Sequence, residues 1–262
     1  ETARRLRLGQ IVAVRGLGGF HLACDAFSDE AVSRLRARKG RAEKPFAMMT
    51  PTVDTIRRYC AVDASEESRL RDPTRPIVLL RKKEACPIPP SVAPNQRYLG
   101  FMLPYTPLHH LLLRSGFEAL VMTSANRSEE PIAISNSEAF DRLGGIADFF
   151  LTHKREILQR CHDSVVRVVR AKTRISRRSR GFVPASLPLP RPGAKNVLAV
   201  GGELKNTVAL SRDCDVFISQ HVGDLDNPHA YGFFESSIDH LKSVLEIEPE
   251  VIACDLHPEY LS

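Results

Sequence analysis

The sequence predicts a mixed α/β protein built in two parts, and three observations carry that reading. Short apolar runs bounded by turn residues alternate with amphipathic stretches, the pattern of strands interleaved with helices. Four prolines (Pro184, Pro188, Pro190 and Pro192) crowd one short segment, which forbids continuous helix or central strand there. Beyond it, Asn196-Val197-Leu198-Ala199-Val200-Gly201-Gly202 starts a new strand and turn. We therefore expect residues 1–185 as one domain, 186–195 as a linker and 196–262 as the incomplete first portion of another.

Taken in order, Gln10–Val14 is a strand candidate that runs into a glycine turn at Gly16–Gly19. Ser28 is placed to cap a helix whose apolar face carries Ala31, Val32 and Leu35, and which delivers Arg38 to Arg41 at its C-terminal end. Ala47–Met49 reads as a strand, Pro51-Thr52-Val53 as a helix start, and Pro76–Leu80 as a strongly apolar buried strand. Thr106–Leu113 is helical with Pro107 in its first turn, and Ala119–Thr123 is a strand ending at Ser124-Ala125-Asn126. Ser135–Glu138 opens a helix, and Phe149–Thr152 and Ser164–Val169 are strands. Past the prolines, Thr207–Ser211, Val216–Ser219 and Val251–Cys254 read as strands, with a helix over Phe233–Leu245.

The bulk composition fits a soluble globular chain, with 43% hydrophobic and 26% charged residues among 262. No run approaches the roughly 20 apolar residues of a membrane span. The opening Glu1-Thr2-Ala3-Arg4-Arg5 lacks Met and no apolar signal region follows, so we expect a piece of a longer cytoplasmic polypeptide. Six cysteines form no C-x-x-C pair, which points to buried reduced thiols rather than a zinc site or a disulfide framework. The net charge of +6 suits anionic ligands, or serves solubility alone. It is uneven. Residues 154–180 hold Lys154, Arg155, Arg160, Arg167, Arg170, Lys172, Arg174, Arg177, Arg178 and Arg180 against only Glu156 and Asp163.

Three clusters carry the chemistry. Lys39 and Arg41, with Lys44-Pro45, follow a helix; cations there either answer the negative pole of the helix dipole or grip phosphate oxygens. Thr123-Ser124-Ala125-Asn126 ends a buried strand, where small polar residues make a turn or dock a ligand by hydroxyl and amide. Arg177-Arg178-Ser179-Arg180-Gly181 is either a solvated basic loop or a second set of phosphate cations. Brought together, the three would line one basin for a polyphosphate. No local nucleophile–base pair is present, and His109-His110 reads as a helical pair with one member buried rather than a metal site.

The order Lys39-Gly40-Arg41-x-x-Lys44-Pro45-Phe46, Thr123-Ser124-Ala125-Asn126, Asp163-Ser164-Val165 and Arg178-Ser179-Arg180-Gly181 resembles the YrdC-like fold. Gly16–Ala26, Leu103–His110 and Arg178–Pro184 narrow the resemblance to the HypF family of carbamoyltransferases that mature [NiFe] hydrogenases. Gly201–Thr207 and Asp255–Ser262 are similar to the opening of that family's last domain, which resembles actin-like ATPases and TsaD-type carbamoyl-transfer domains. One position departs: where the family usually has Cys-Asp-Asp-Ser-Val, this chain has Cys161-His162-Asp163-Ser164-Val165.

The resemblance implies a YrdC-like twisted mixed sheet with flanking helices, followed by the first part of a TsaD-like domain. It implies carbamoyl phosphate as the source of carbamate, and joining of that carbamate to ATP as carbamoyl-adenylate. The carbamoyl group would then pass to the C-terminal cysteine of HypE. Lys39, Arg41, Arg178 and Arg180 are the expected catalytic cations, with Mg²⁺. Gly18, His21, Lys44, Thr123, Ser124, Asn126, Asp163 and Ser164 are the expected nucleotide or substrate contacts. Zinc is implied only in portions of the full-length family absent from this sequence. Two other readings keep the fold: threonylcarbamoyl-adenylate synthesis for tRNA modification, with double-stranded RNA as a partner of the basic stretch, or a non-catalytic scaffold for HypE.

Overall fold

The computed structural model describes residues 1–127 and 130–262, which divide into two compact units. The first runs to Arg177; the second holds Arg178–Ser262, and Glu130 and Pro131 group with it.

In the first unit the elements are α1 (Thr2–Arg7), β1 (Val12–Arg15), β2 (Phe20–Asp25), α2 (Asp29–Lys39), β3 (Ala47–Met49), α3 (Val53–Tyr59), α4 (Ala64–Arg71), β4 (Ile77–Arg81), β5 (Tyr98–Met102), α5 (Pro107–Leu113), β6 (Leu120–Ser124), α6 (Asn136–Leu143), β7 (Phe149–Leu151), β8 (Val165–Val169) and β9 (Lys172–Arg177). Helix starts follow the side-chain chemistry. Ser28, Thr52, Thr106 and Ser135 each accept a backbone N–H three residues on, and Asp63 closes a capping box with Glu66. Helix α2 stops at Gly40, whose φ of 65° lies in the left-handed region that glycine adopts without a steric penalty. That stop turns the chain and sets Arg41 beyond the helix end.

Among the described residues the strands form one mixed sheet in the order β7-β1-β2-β6-β3-β5-β4-β8-β9. Strands β3 and β5 pair in parallel, as do β4 with β8 and β1 with β7, while β2–β6, β3–β6 and β4–β5 are antiparallel. Leu6, Val12, Val14, Met49, Met102, Leu112, Phe117 and Leu120 pack into one core. Burying such side chains is worth about 1.5–3 kcal/mol each relative to exposure.

The second unit holds β10 (Leu187–Pro188), β11 (Val197–Ala199), β12 (Ala209–Arg212), β13 (Asp215–Ile218), α7 (Pro228–Leu245) and β14 (Val251–Ala253), with sheet order β10-β13-β12-β11-β14. Leu198, Val208, Leu210, Leu225, Phe233 and Leu241 form its core. Asn206 is buried there, and its Nδ2 donates to Val200 O at 2.8 Å and Gly202 O at 2.7 Å.

Several elements differ from the sequence expectation. The proline-rich segment carries a two-residue strand, β10, antiparallel to β13; it sits at a sheet edge, where proline's missing N–H is tolerated. Helix α7 begins five residues before Phe233, because Asn227 caps it and Pro228 takes its first position. Strands β2 and β5 escaped the sequence reading: β2 is buried on nearly every residue and shows no alternation, and β5 is interrupted by Gly100. Of the cysteines, Cys24 and Cys60 are buried, Cys86 and Cys161 half-buried, and Cys214 and Cys254 exposed, all with free thiols. The expectation of uniform burial therefore holds for two; Cys214 falls in the turn joining β12 to β13, outside any core. His109 and His110 split as expected, one buried and one exposed. No helix among the described residues is long and apolar enough to cross a membrane.

Candidate functional site

A cavity of about 290 Å³ opens on one face of the first unit's sheet. Its floor follows from strand periodicity. Ile77 and Leu79 of β4, Tyr98 and Gly100 of β5, and Met122 and Ser124 of β6 are two-residue neighbours, so each pair faces the same side. With Ala47 and Val165 they make a largely apolar floor. Gly100 keeps it open, since a Cβ there would lie 3.0 Å from Ile77 Cγ2. Polar groups surround it: His21, Arg41, Gln96, Thr123, Cys161, His162, Asp163 and Arg177.

Arg41 is placed by its own loop. Its Nε donates to Lys44 O at 2.9 Å, its NH2 to Pro45 O at 2.7 Å, and its guanidinium lies 5.1 Å from the Phe46 ring centroid. Burial pushes this guanidinium down to about 10, and the neighbouring Arg36 and Arg177 cations add to the effect. Burial also lowers Arg177, while the Asp163 carboxylate opposes that shift. Like charges held together away from water are costly, and an anionic ligand relieves that cost.

Across the cavity, His21 Nε2 and Asp163 Oδ2 lie 2.9 Å apart, both side chains less than 10% exposed. The buried His21 Nδ1 has no hydrogen-bond partner among the described residues. The segment bearing Asp163 is tacked down on both sides. Cys161 N donates to Gly18 O at 2.9 Å, and Ile77 N donates to Ser164 O at 2.8 Å. Gly18 permits this approach, because a Cβ there would stand 2.4 Å from Cys161 O.

The expected site residues separate into groups. Arg41, His21, Thr123, Ser124 and Asp163 line the cavity. Lys39 does not. Its Nζ, on a residue 4% exposed, donates to Ser124 O at 2.7 Å, Asn126 O at 2.6 Å and Asn126 Oδ1 at 2.8 Å. Lys39, expected to grip phosphate, here braces the Ser124–Asn126 turn through these three bonds. Asn126 Oδ1 also accepts from Ser124 Oγ at 2.8 Å, which makes Asn126 part of the same brace. Gly18 supports the 161–164 segment instead of touching ligand space, Ser164 is fully buried behind the wall, and Lys44 is exposed and offers Arg41 its carbonyl. Arg178 and Arg180 belong to the second unit. There Arg178 donates to Ala185 O at 2.5 Å, and Arg180 bridges to Val183 across the turn at Gly181.

The sequence places Arg177 in a candidate basic cluster without naming it among the catalytic cations, and gives no reading of Gln96, Tyr98 or the apolar floor as site residues. The alternation Ile77-x-Leu79 and Tyr98-x-Gly100 was the available signal for the floor. Nothing local singles out Arg177 among its neighbouring arginines.

Residues 4–179 match the Sua5–YciO–YrdC family model, described as "Telomere recombination". Residues 192–262 match the HypF Kae1-like domain. The chain is similar to carbamoyltransferase HypF2 of Cupriavidus necator, at 48% identity over 100% of this chain and 35% of the relative. It is 44% identical to carbamoyltransferase HypF of Synechocystis, over 98% of this chain and 34% of the relative. Among solved structures, full-length HypF in its phosphate- and nucleotide-bound form matches with a TM-score of 0.96 and 44% identity, covering 99% of this chain and 41% of that one. A more remote relative is threonylcarbamoyl-AMP synthase of Nitrosococcus oceani, 29% identical over 57% of this chain and 82% of its own length. The chain thus spans about a third of the length of the HypF relatives it matches.

Proposed function

The chain belongs to the HypF group of the Sua5–YciO–YrdC family and continues into a HypF Kae1-like domain, and from that premise we propose that its first unit joins carbamate to ATP. A carbamate oxygen attacks the α-phosphorus and the α–β phosphoanhydride bond breaks. Carbamoyl-adenylate forms and pyrophosphate leaves. Carbamate enters as an anion, so the step needs no strong base.

The observation that carries this reading is the pairing of two half-buried guanidinium groups, Arg41 and Arg177, with an apolar floor in one cavity. The floor suits a nucleobase, and the cations suit the charge that builds on phosphoryl and pyrophosphate oxygens as the bond breaks. Ser124 and Thr123 hold the nucleotide, with Lys39 and Asn126 stiffening their turn. His21, paired with Asp163, lines the carbamate end. Arg178 and Arg180 remain proposed cations of the same reaction.

Magnesium would arrive on the nucleotide. Among the described residues no group of three or more His, Cys, Asp and Glu gathers to hold a metal, and Asp163, the one carboxylate among the cavity's described lining residues, is engaged by His21. An ion held chiefly by phosphates and water would neutralise part of the polyphosphate charge. Within the whole protein, carbamoyl phosphate would supply carbamate, and the carbamoyl group would go on to the C-terminal cysteine of HypE.

The test is pyrophosphate release from ATP by this chain, with carbamate generated in place from carbamoyl phosphate and an added acylphosphatase. Release that depends on carbamate is expected. The remote threonylcarbamoyl-AMP synthase relative supplies the competing arm: release that depends on threonine with bicarbonate would replace the proposal. No release in either arm, with a complex still formed with HypE, would favour a scaffold.

A further inference from the structure

We propose that His162 is a proton-dependent anion contact of the cavity, so that this chain binds polyphosphate more tightly as pH falls through the histidine range. The inference rests on the nucleotide reading above and names the residue that would tune it.

His162 lines the cavity between two anchored neighbours. Cys161 is tied to Gly18 O, Asp163 is tied to His21 Nε2, and the next residue, Ser164, is tied to Ile77 N. Its backbone is therefore held from both sides, and its half-buried ring has a restricted choice of positions on the cavity wall.

The fixed charges among the lining residues are Arg41 and Arg177 against Asp163, a net of +1 (two cations less one carboxylate). The remaining ionisable groups facing the cavity are His21 of β2, Tyr98 of β5, Cys161 and His162 itself. Protonating His162 takes the net to +2, which strengthens the cavity's attraction for a polyphosphate. An imidazolium also supplies N–H donors to phosphate oxygens, and histidine is the side chain whose ordinary titration falls near neutral pH. Binding of the anion in turn favours the protonated ring, so affinity and protonation are linked.

The experiment compares ATP affinity of the 262-residue chain with that of His162→Asn and His162→Asp, by titration calorimetry from about pH 5.5 to about pH 8.5. The ratio of variant to wild-type affinity at each pH cancels the protonation of ATP itself. We expect His162→Asn to match wild type at the alkaline end and to bind about tenfold more weakly at the acid end, the worth of one charge-assisted contact. His162→Asp, which brings the net lining charge to zero at neutral pH, should bind more weakly throughout. Melting temperatures of both variants within the scatter of wild type exclude misfolding as the cause. A ratio for His162→Asn that stays flat across the range, with binding intact, overturns this inference and leaves the nucleotide reading standing. Absence of ATP binding in all three proteins overturns both.

Discussion

Lys39 Nζ donates a 2.8 Å hydrogen bond to Asn126 Oδ1, joining the last residue of α2 to the turn that leaves β6, 87 positions along the chain. A cation that reads in sequence as a phosphate ligand is thereby spent on the protein's own oxygens. Replacing Lys39 by Met would remove the donor shared by Ser124 O, Asn126 O and Asn126 Oδ1, and would leave the Ser124 hydroxyl bond to Asn126 Oδ1 in place. An unsatisfied buried acceptor costs about 1–3 kcal/mol. The Lys39→Met variant should therefore lose stability in chemical unfolding and ATP affinity together. A loss of affinity with the unfolding midpoint unchanged would return Lys39 to the role of direct phosphate contact.

Arg41 should not tolerate lysine. Its fork meets Lys44 O and Pro45 O at once while its plane lies over Phe46, and an ammonium cannot reproduce that arrangement. Arg41→Lys and Arg41→Ala should each weaken ATP by about tenfold or more, as expected when a charge-assisted contact is lost. Affinity of Arg41→Lys within twofold of wild type would show that charge alone suffices.

His21 and Asp163 should act as one unit. Either His21→Ala or Asp163→Ala removes the 2.9 Å contact, so the double variant should lose little more carbamate-dependent pyrophosphate release than the worse single one. Initial rates of the four proteins form the cycle. Fully multiplicative losses would mean that the two side chains serve separate purposes.

A pH effect on stability should appear at Asp148. Burial raises its carboxyl, but Arg38 at 2.6 Å and the Ile11 N–H at 2.8 Å outweigh that and hold it below its ordinary value of 3.8. A depressed carboxyl contributes stability above its unfolded value and loses it as pH falls through the folded one. Asp148→Asn should cost about 1 kcal/mol at neutral pH, discounted for solvent screening. The gap in unfolding midpoint between the two proteins should narrow in acid, below 3.8. A gap that stays constant down the acid limb would assign the loss to packing.

Much of the architecture was legible because its causes are local. Ser28, Thr52, Thr106 and Ser135 lie within three residues of the N–H groups they cap, so the helix starts could be read from short words. The apolar runs of β3, β4 and β8 announce buried strands in the same way. Segments that break the period, such as β2 without alternation and β5 with Gly100, were lost for the same reason.

The sequence by itself determined which chemistry was available: cations after α2, a Thr-Ser-Ala-Asn turn after β6, an arginine run near residue 180, and a proline-marked change of pattern. Only the tertiary structure decided where each charge points. Lys39 turns inward, where three oxygens wait within hydrogen-bond reach, and Arg177 lines the cavity from the end of β9. Side-chain direction depends on strand register and on partners tens of residues away, and a run of like residues carries no record of either.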